Sequence, residues 1–255
     1  MSRYVRLKQV NDDFTRIKSK IMASDPSRYW GDDFDVRFYL VSKLKKLHNK
    51  SVLDIGGGIG IISSELDKSN FRINLDSSLN DLKTCREKID SDIQNICASM
   101  TNLPFDDNSF DYVICAHLLE MAKHHDIEKN QVVIDNQIAI YPTVEKILKE
   151  ISRVLDSDGT LFLTTPNNAY YKSTKLNYHE LKRSISSHFS RYSLSFYNTF
   201  PRLSTKHRKL NLANVVPKLM SKVISKNKLV TAILIKEDDG TERESVSFYV
   251  EAFKN

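Results

Sequence analysis

The stretch SVLDIGGGIG, from Ser51 to Gly60, limits what this chain can fold into more than any other part of it. A strand-like apolar run enters a turn that holds Gly56, Gly57, Gly58 and Gly60, four of the seven glycines in the whole chain. IGIISSELDK then reads as a helix. Glycine lets a backbone turn sharply and lets a ligand approach the main chain closely. A strand, a glycine turn and a helix make the repeating unit of parallel α/β sheets, and the free N–H groups at such a helix start suit a bound ligand.

The same grammar recurs downstream. FRINLD reads as a second strand, and SLNDLKTCREKID as a helix capped by Ser77 or Ser78. IQNICA and SFDYVICAH read as strands, TVEKILKEISRVL as an amphipathic helix, and TLFLTTP as a strand. Late in the chain, RYSLSFYNTF and ESVSFYVEAF are strands with no ordinary crossover helix between them, which predicts antiparallel pairing at that end. The expected fold is α/β: a Rossmann-like doubly wound sheet, mostly parallel with an antiparallel C-terminal edge strand, and helices on both faces. One domain over 1–255 is expected, with a helical cap at 1–48, a ligand-binding core at 50–189 and a basic helical insertion at 201–236. Ala122 to Pro142 reads as an insertion.

At 255 residues and 40% hydrophobic content the chain can bury a sizeable core, and its net charge of +6 permits an anionic partner without requiring one. Cys85, Cys97 and Cys115 are too scattered for a disulfide framework or a zinc site, so a reducing, cytoplasmic setting is expected. The first residues lack the apolar core of a signal peptide, and the longest apolar run, LVTAILI, is too short to span a bilayer. From Pro201 to Ile235 there are eight Lys or Arg and no Asp or Glu, with apolar residues at helical spacing. Such a segment either packs its apolar face on the sheet or makes peripheral contact with an anionic membrane. It contains no aromatic residue to stack on bases, which disfavours nucleic acid as partner. Tyr29, Trp30, Phe34 and Tyr39 either close over an acceptor pocket or pack in the core. His124, His125 and Asp126, with Glu128 nearby, lack metal-ligand spacing on what reads as a loop, so no metal is expected.

The turn itself discriminates between ligands. A dinucleotide fingerprint would need glycine at Ile61 or Ser63, and has none. The pattern present is Asp54-x-Gly56-x-Gly58-x-Gly60. A carboxylate at Asp54 opposes a pyrophosphate but attracts an ammonium or sulfonium group, and S-adenosylmethionine carries both. Asp76 ends the second strand, where a carboxylate can accept hydrogen bonds from ribose hydroxyls.

From Lys50 to Phe189 the chain resembles the class I S-adenosylmethionine-dependent methyltransferases, in particular the methyltransferase type 11, quinone-biosynthesis-like subgroup. The resemblance rests on VLDIGGGIG, NLDSS, ASMTNLPFDDNSFDYVICAHLLEM and LKEISRVLDSDGTLFLTTPNN, in that order. It implies that Asp54 contacts the amino group of the cofactor, that Gly56, Gly58 and Gly60 shape the turn, and that Asp76 binds the ribose. Ser99, followed by Met100, stands where relatives carry an Asp on the adenine amine. His117, after the fourth strand, and His179, in NYHEL, are the candidate bases; relatives often read Leu-Glu-His where this chain has Glu120 and Met121. CAHL replaces the Asn/Asp-Pro-Pro-Tyr motif of exocyclic-amine methyltransferases, so methylation at oxygen or carbon is favoured. The implied function is methyl transfer to a small-molecule or lipid-linked acceptor, at oxygen first. The rivals are an RNA or protein methyltransferase, a catalytically inactive cofactor-binding regulator and an NAD-dependent oxidoreductase.

Overall fold

The structure, a computed structural model, describes residues 16–25, 36–167, 175–197, 237–238 and 247–254. A helix at residues 16–24 (α1) and a second at Val36–Leu44 (α2) lead to β1 (Ser51–Ile55) and β2 (Phe71–Asp76). Helix α3 (Leu79–Thr84) continues into a wider turn at Cys85–Ile89, followed by β3 (Gln94–Cys97) and β4 (Phe110–Ala116). Next come α4 (Leu119–Glu128), a hairpin of β5 (Val133–Asp135) and β6 (Ile138–Ile140), α5 (Pro142–Val154) and β7 (Leu155–Pro166). Helix α6 (Tyr178–His188), β8 (Arg191–Tyr197), β9 (Glu237–Asp238) and β10 (Ser247–Phe253) complete the described elements.

The main sheet runs in the order β3-β2-β1-β4-β7-β10-β8-β9. Strands β3, β2, β1, β4 and β7 pair in parallel, while β10 is antiparallel to both β7 and β8. This is the expected mostly parallel sheet with its antiparallel C-terminal end. The order reverses between β1 and β4, and the crevice at such a reversal is where open α/β sheets bind ligands.

Side chains divide between two faces by strand alternation. Leu53 and Ile55 of β1 face a core packed by α4, α5 and α6, whereas Val52 faces the layer of α1 and α2. Helix α5 presents Val144, Ile147, Leu148 and Ile151, a single apolar stripe of fully buried residues. On the other face, Ile17 and Ile21 of α1 and Val36, Leu40 and Val41 of α2 pack over Ile61 and Ile62. Tyr39 belongs to this packing, with its ring edge-on to Tyr249 at 5.0 Å. Ser78, rather than Ser77, caps α3 by accepting from the Asp81 N–H.

Two sequence expectations change. IGIISSELDK forms only a short 3₁₀ turn at Ser63–Glu65, with Leu66 extended after it. Gly56, Gly58 and Gly60 adopt φ of 68°, 56° and 73°, left-handed values that interrupt any α-helical ladder until the segment is already used for other contacts. Ser63 bonds Asp54, and Glu65 is buried under Arg16 and Lys20 of α1, with Lys20 Nζ 2.9 Å away. Within Ala122 to Pro142, His124, His125 and Asp126 lie not on a loop but in the body of α4, and a hairpin turning at Asn136 and Gln137, both at positive φ, follows. The basic insertion at 201–236 and the aromatics Tyr29, Trp30 and Phe34 lie outside the described residues. Among the described residues, no helix is long and apolar enough to cross a membrane.

A buried polar network locks the helices of one face together. Lys123 of α4 donates to Glu180 of α6 at 2.7 Å and to the Lys175 carbonyl at 2.8 Å, and the Tyr141 hydroxyl donates to Glu180 at 2.8 Å. Glu180 also completes a capping box with Asn177. Removing one partner of a pair this buried strands the other charge. Lys123→Met is therefore expected to lower stability by about 3–5 kcal/mol in urea titration, with a large part regained in Lys123→Met/Glu180→Gln. Equal losses in the single and double variants would show that the pairing is not what stabilises this face.

Candidate functional site

At the C-terminal ends of β1 and β4 the chain leaves a cavity of about 150 Å³, lined by Arg37, Asp54, Gly56, Gly57, Gly58, Ile59, Ile61, Ile62 and Ala116. Backbone hydrogen bonds fasten the glycine turn to β2, with the Gly56 N–H 2.7 Å from the Leu75 carbonyl. A Cβ at Gly57 would stand 2.2 Å from Asn74 Oδ1 and 2.8 Å from the Asp54 carboxylate, so no larger residue fits there. At Gly60 it would meet Cys85 Sγ at 2.3 Å. Asn74, fully buried, donates from Nδ2 to the Gly58 carbonyl at 2.9 Å and to Asn95 Oδ1 at 3.0 Å. Gly57 and Asn74 escape a motif reading because their role is steric and cross-strand.

Asp54 lies at the floor of this cavity and is 1% exposed. Its Oδ2 accepts from the Ser63 hydroxyl at 2.8 Å, while Oδ1 has no hydrogen-bond partner. Burial pushes its carboxyl up to about 6; the Ser63 bond pulls it down and the charge of Asp76 adds to the rise. A dry carboxylate with an unmet oxygen favours a cationic donor.

Asp76 ends β2 and joins the turn to its neighbours: Oδ2 accepts from the Gly58 N–H at 2.9 Å, and Oδ1 from the Ser78 N–H at 2.9 Å. Ser99, two residues past β3, is exposed and shares a 2.9 Å hydrogen bond with the Thr101 hydroxyl, while Met100 is half-buried against the main core. Asp54, Asp76 and Ser99 thus stand at the same ends of three adjacent strands, β1, β2 and β3, a row suited to an extended ligand.

The other side of the reversal carries a second acid. His117 follows β4 at φ 55°, its N–H donating to the Thr164 carbonyl at 2.8 Å. Its Nδ1 is 3.7 Å from Glu120 Oε1, and the Thr165 hydroxyl donates to Glu120 Oε2 at 3.3 Å. Burial pushes the Glu120 carboxyl up to about 7, opposed by the charges of Lys175 and Arg37 and by Thr165. His179 is exposed on the first turn of α6, edge-on to Tyr178 at 5.4 Å, and does not line the cavity. Glu120 and Arg37 were not singled out from the sequence. Glu120 had as signal only its place three residues after His117, and Arg37 precedes every motif.

His124 and His125 are exposed on α4, 3.4 Å from Glu128 and 3.7 Å from Asp126. Asp126 is fully buried and accepts from the Thr143 N–H at 2.9 Å, meeting one of the free donors in the first turn of α5. Among the described residues, no three His, Cys, Asp or Glu side chains are arranged to hold a metal ion.

Residues 53–163 match the family model described as a methyltransferase domain. An uncharacterized protein of Methanocaldococcus jannaschii is 35% identical over 127 residues, a match that spans 49% of this chain and 45% of that relative. Among solved structures, a SAM-dependent methyltransferase of Thermotoga maritima superposes with a TM-score of 0.54 at 14% identity, covering 100% of both chains. A TehB-like SAM-dependent methyltransferase of Corynebacterium glutamicum gives 0.51 at 12% identity, covering 96% of this chain and 97% of its own. Residues 53–163 thus match the methyltransferase-domain model, and the fold is similar to that of these solved SAM-dependent methyltransferases.

Proposed function

We propose that this chain transfers a methyl group from S-adenosylmethionine to a hydroxyl oxygen of a small-molecule or lipid-linked acceptor. The observation that carries the cofactor half is the buried, unmet Oδ1 of Asp54 at the floor of the glycine-lined cavity. The space beside Gly58 agrees with it: a Cβ there would find a single atom within 4 Å, Asp81 Oδ2 at 3.9 Å. In this reading Asp54 accepts from the amino group, Gly56, Gly58 and Gly60 bring the backbone close, and Asp76 accepts from the ribose hydroxyls. The Ser99 hydroxyl and Met100 meet the adenine.

Bound S-adenosylmethionine supplies a methyl group already activated by its sulfonium, so the protein has mainly to align the nucleophile and exclude water. A hydroxyl acceptor must also lose a proton. Glu120, a buried carboxylate poised near 7, is suited to receive that proton at neutral pH, with His117 3.7 Å away to orient or relay it. His179 is the other candidate base, reaching the acceptor from α6. The basic segment at 201–236 would bring the enzyme to an anionic lipid surface if the acceptor is lipid-linked.

Labelled methyl from S-adenosylmethionine, offered to an extract of the source organism and fractionated, tests the acceptor class. Label is expected in the lipid or aqueous small-molecule fraction, and label in RNA or protein would overturn that assignment. Transfer should rise through pH ~7 as Glu120 deprotonates, and Glu120→Gln should lose that limb while keeping cofactor affinity within about twofold. A wild-type profile retained in Glu120→Gln would remove Glu120 from the chemistry.

Cofactor binding gives two further tests. Asp76→Ala is expected to weaken S-adenosylmethionine binding much more than Ser99→Ala, because it removes a charge-assisted contact, and equal small effects would contradict the ribose placement. For Asp54 the sign follows from its raised carboxyl: the folded state holds the proton more tightly than the unfolded chain, so stability falls as pH rises toward and through about 6. Asp54→Asn should therefore unfold later than wild type at pH ~8, by about 2–3 kcal/mol, with the gain shrinking toward pH ~5. The same variant should bind the cofactor at least ~10-fold more weakly. Lower stability with intact binding would count against both the burial argument and the proposed role.

A further inference from the structure

Once Asp54 and the glycine turn are assigned, one charged side chain of the cavity lining remains. Arg37 is the sole cation among the described residues that line it, and it belongs to α2, outside the methyltransferase domain at 53–163. The ligand proposed for this cavity bears an ammonium and a carboxylate on one carbon. If Asp54 takes the ammonium, the carboxylate comes into the same small space, and burying it there without a counter-charge is costly. Arg37 and Asp54 line that space together.

We propose that Arg37 binds the α-carboxylate of the cofactor, which makes the N-terminal helix α2 a wall of the cofactor site; this rests on the cofactor reading above. The backbone that carries it is well held. Val36, Leu40 and Val41 of the same helix are buried on the sheet against Ile61 and Ile62, the residues that follow the glycine turn. Helix α1 is tied to the same region through Glu65, whose side chain is fully buried beneath Arg16 and Lys20. A guanidinium on a fixed helix offers a planar fork matched to a carboxylate, which an ammonium does not reproduce. Arg37 also acts electrostatically on Glu120, so one side chain links the amino-acid end of the cofactor to the acceptor side.

Calorimetric titration with S-adenosylmethionine and with decarboxylated S-adenosylmethionine separates this contact from the rest of the site, because the second ligand keeps the sulfonium, amine and nucleoside and lacks only the carboxylate. Wild type is expected to prefer the intact ligand by ~10–100-fold. Arg37→Ala should abolish that preference by weakening the intact ligand while leaving the decarboxylated one within about twofold, and Arg37→Lys should recover part of it. Retained binding of the decarboxylated ligand also reports that the variants are folded. An Arg37→Ala protein that keeps the wild-type preference, or a wild type that shows none, overturns the assignment of Arg37. A wild type that binds neither ligand overturns the cofactor reading itself.

Discussion

The structure depends on how closely one turn of backbone passes over the sheet. At Gly57 the main chain runs so near Asn74 and the Asp54 carboxylate that a single added carbon would overlap both. Hydrogen bonds from Gly56 to Leu75, from Asn74 to the Gly58 carbonyl, and from Gly58 to Asp76 hold the turn at that separation. Because the turn is pinned to β2 as well as continuous with β1, it opens beside the point where the strand order reverses. The floor acid, the strand-end acid and the short 3₁₀ turn that replaces a full helix all take their places from it.

This arrangement carries an electrostatic cost that the rest of the molecule offsets. Asp54 and Glu120 are buried carboxylates held above their ordinary range, one on each side of the reversal. Such groups disfavour the folded state at neutral pH and favour a ligand that supplies the missing donors. Elsewhere buried charges are paired: Arg72 with Asp90 at 2.8 Å, Lys123 with Glu180, and Glu65 with cations of α1. Among the described residues, most of the buried side-chain atoms without a hydrogen-bond partner lie around the glycine turn and the reversal, while these ion pairs join helices to each other and to the sheet.

Much of this was legible in the chain because it is local. Strand alternation, a serine cap on α3 and the apolar stripe of α5 follow from spacing along a single element. IGIISSELDK misled because its residues have adequate helix propensity, while tertiary demands on Ser63 and Glu65 outweigh it over so short a run. The segment after Glu120 misled for the opposite reason. Polar residues such as His124 and His125 look loop-like, yet Leu119, Ala122 and the Lys123–Glu180 pair fix them on a helix.

Read from the chain alone, the succession of the main strands, the place of the glycine turn and the strand-end positions of Asp54 and Asp76 were all legible, because each is a matter of residue type at a fixed offset along one segment. The tertiary structure decided which distant side chains share the cavity. Arg37, seventeen residues before Asp54, reaches it because α2 packs on the face of the sheet beneath the turn. Glu120 stands beside Thr165 because β4 and β7 are neighbours in the sheet, forty-five residues apart in the chain. Such contacts depend on how elements pack across the core, and no periodicity within one segment encodes them.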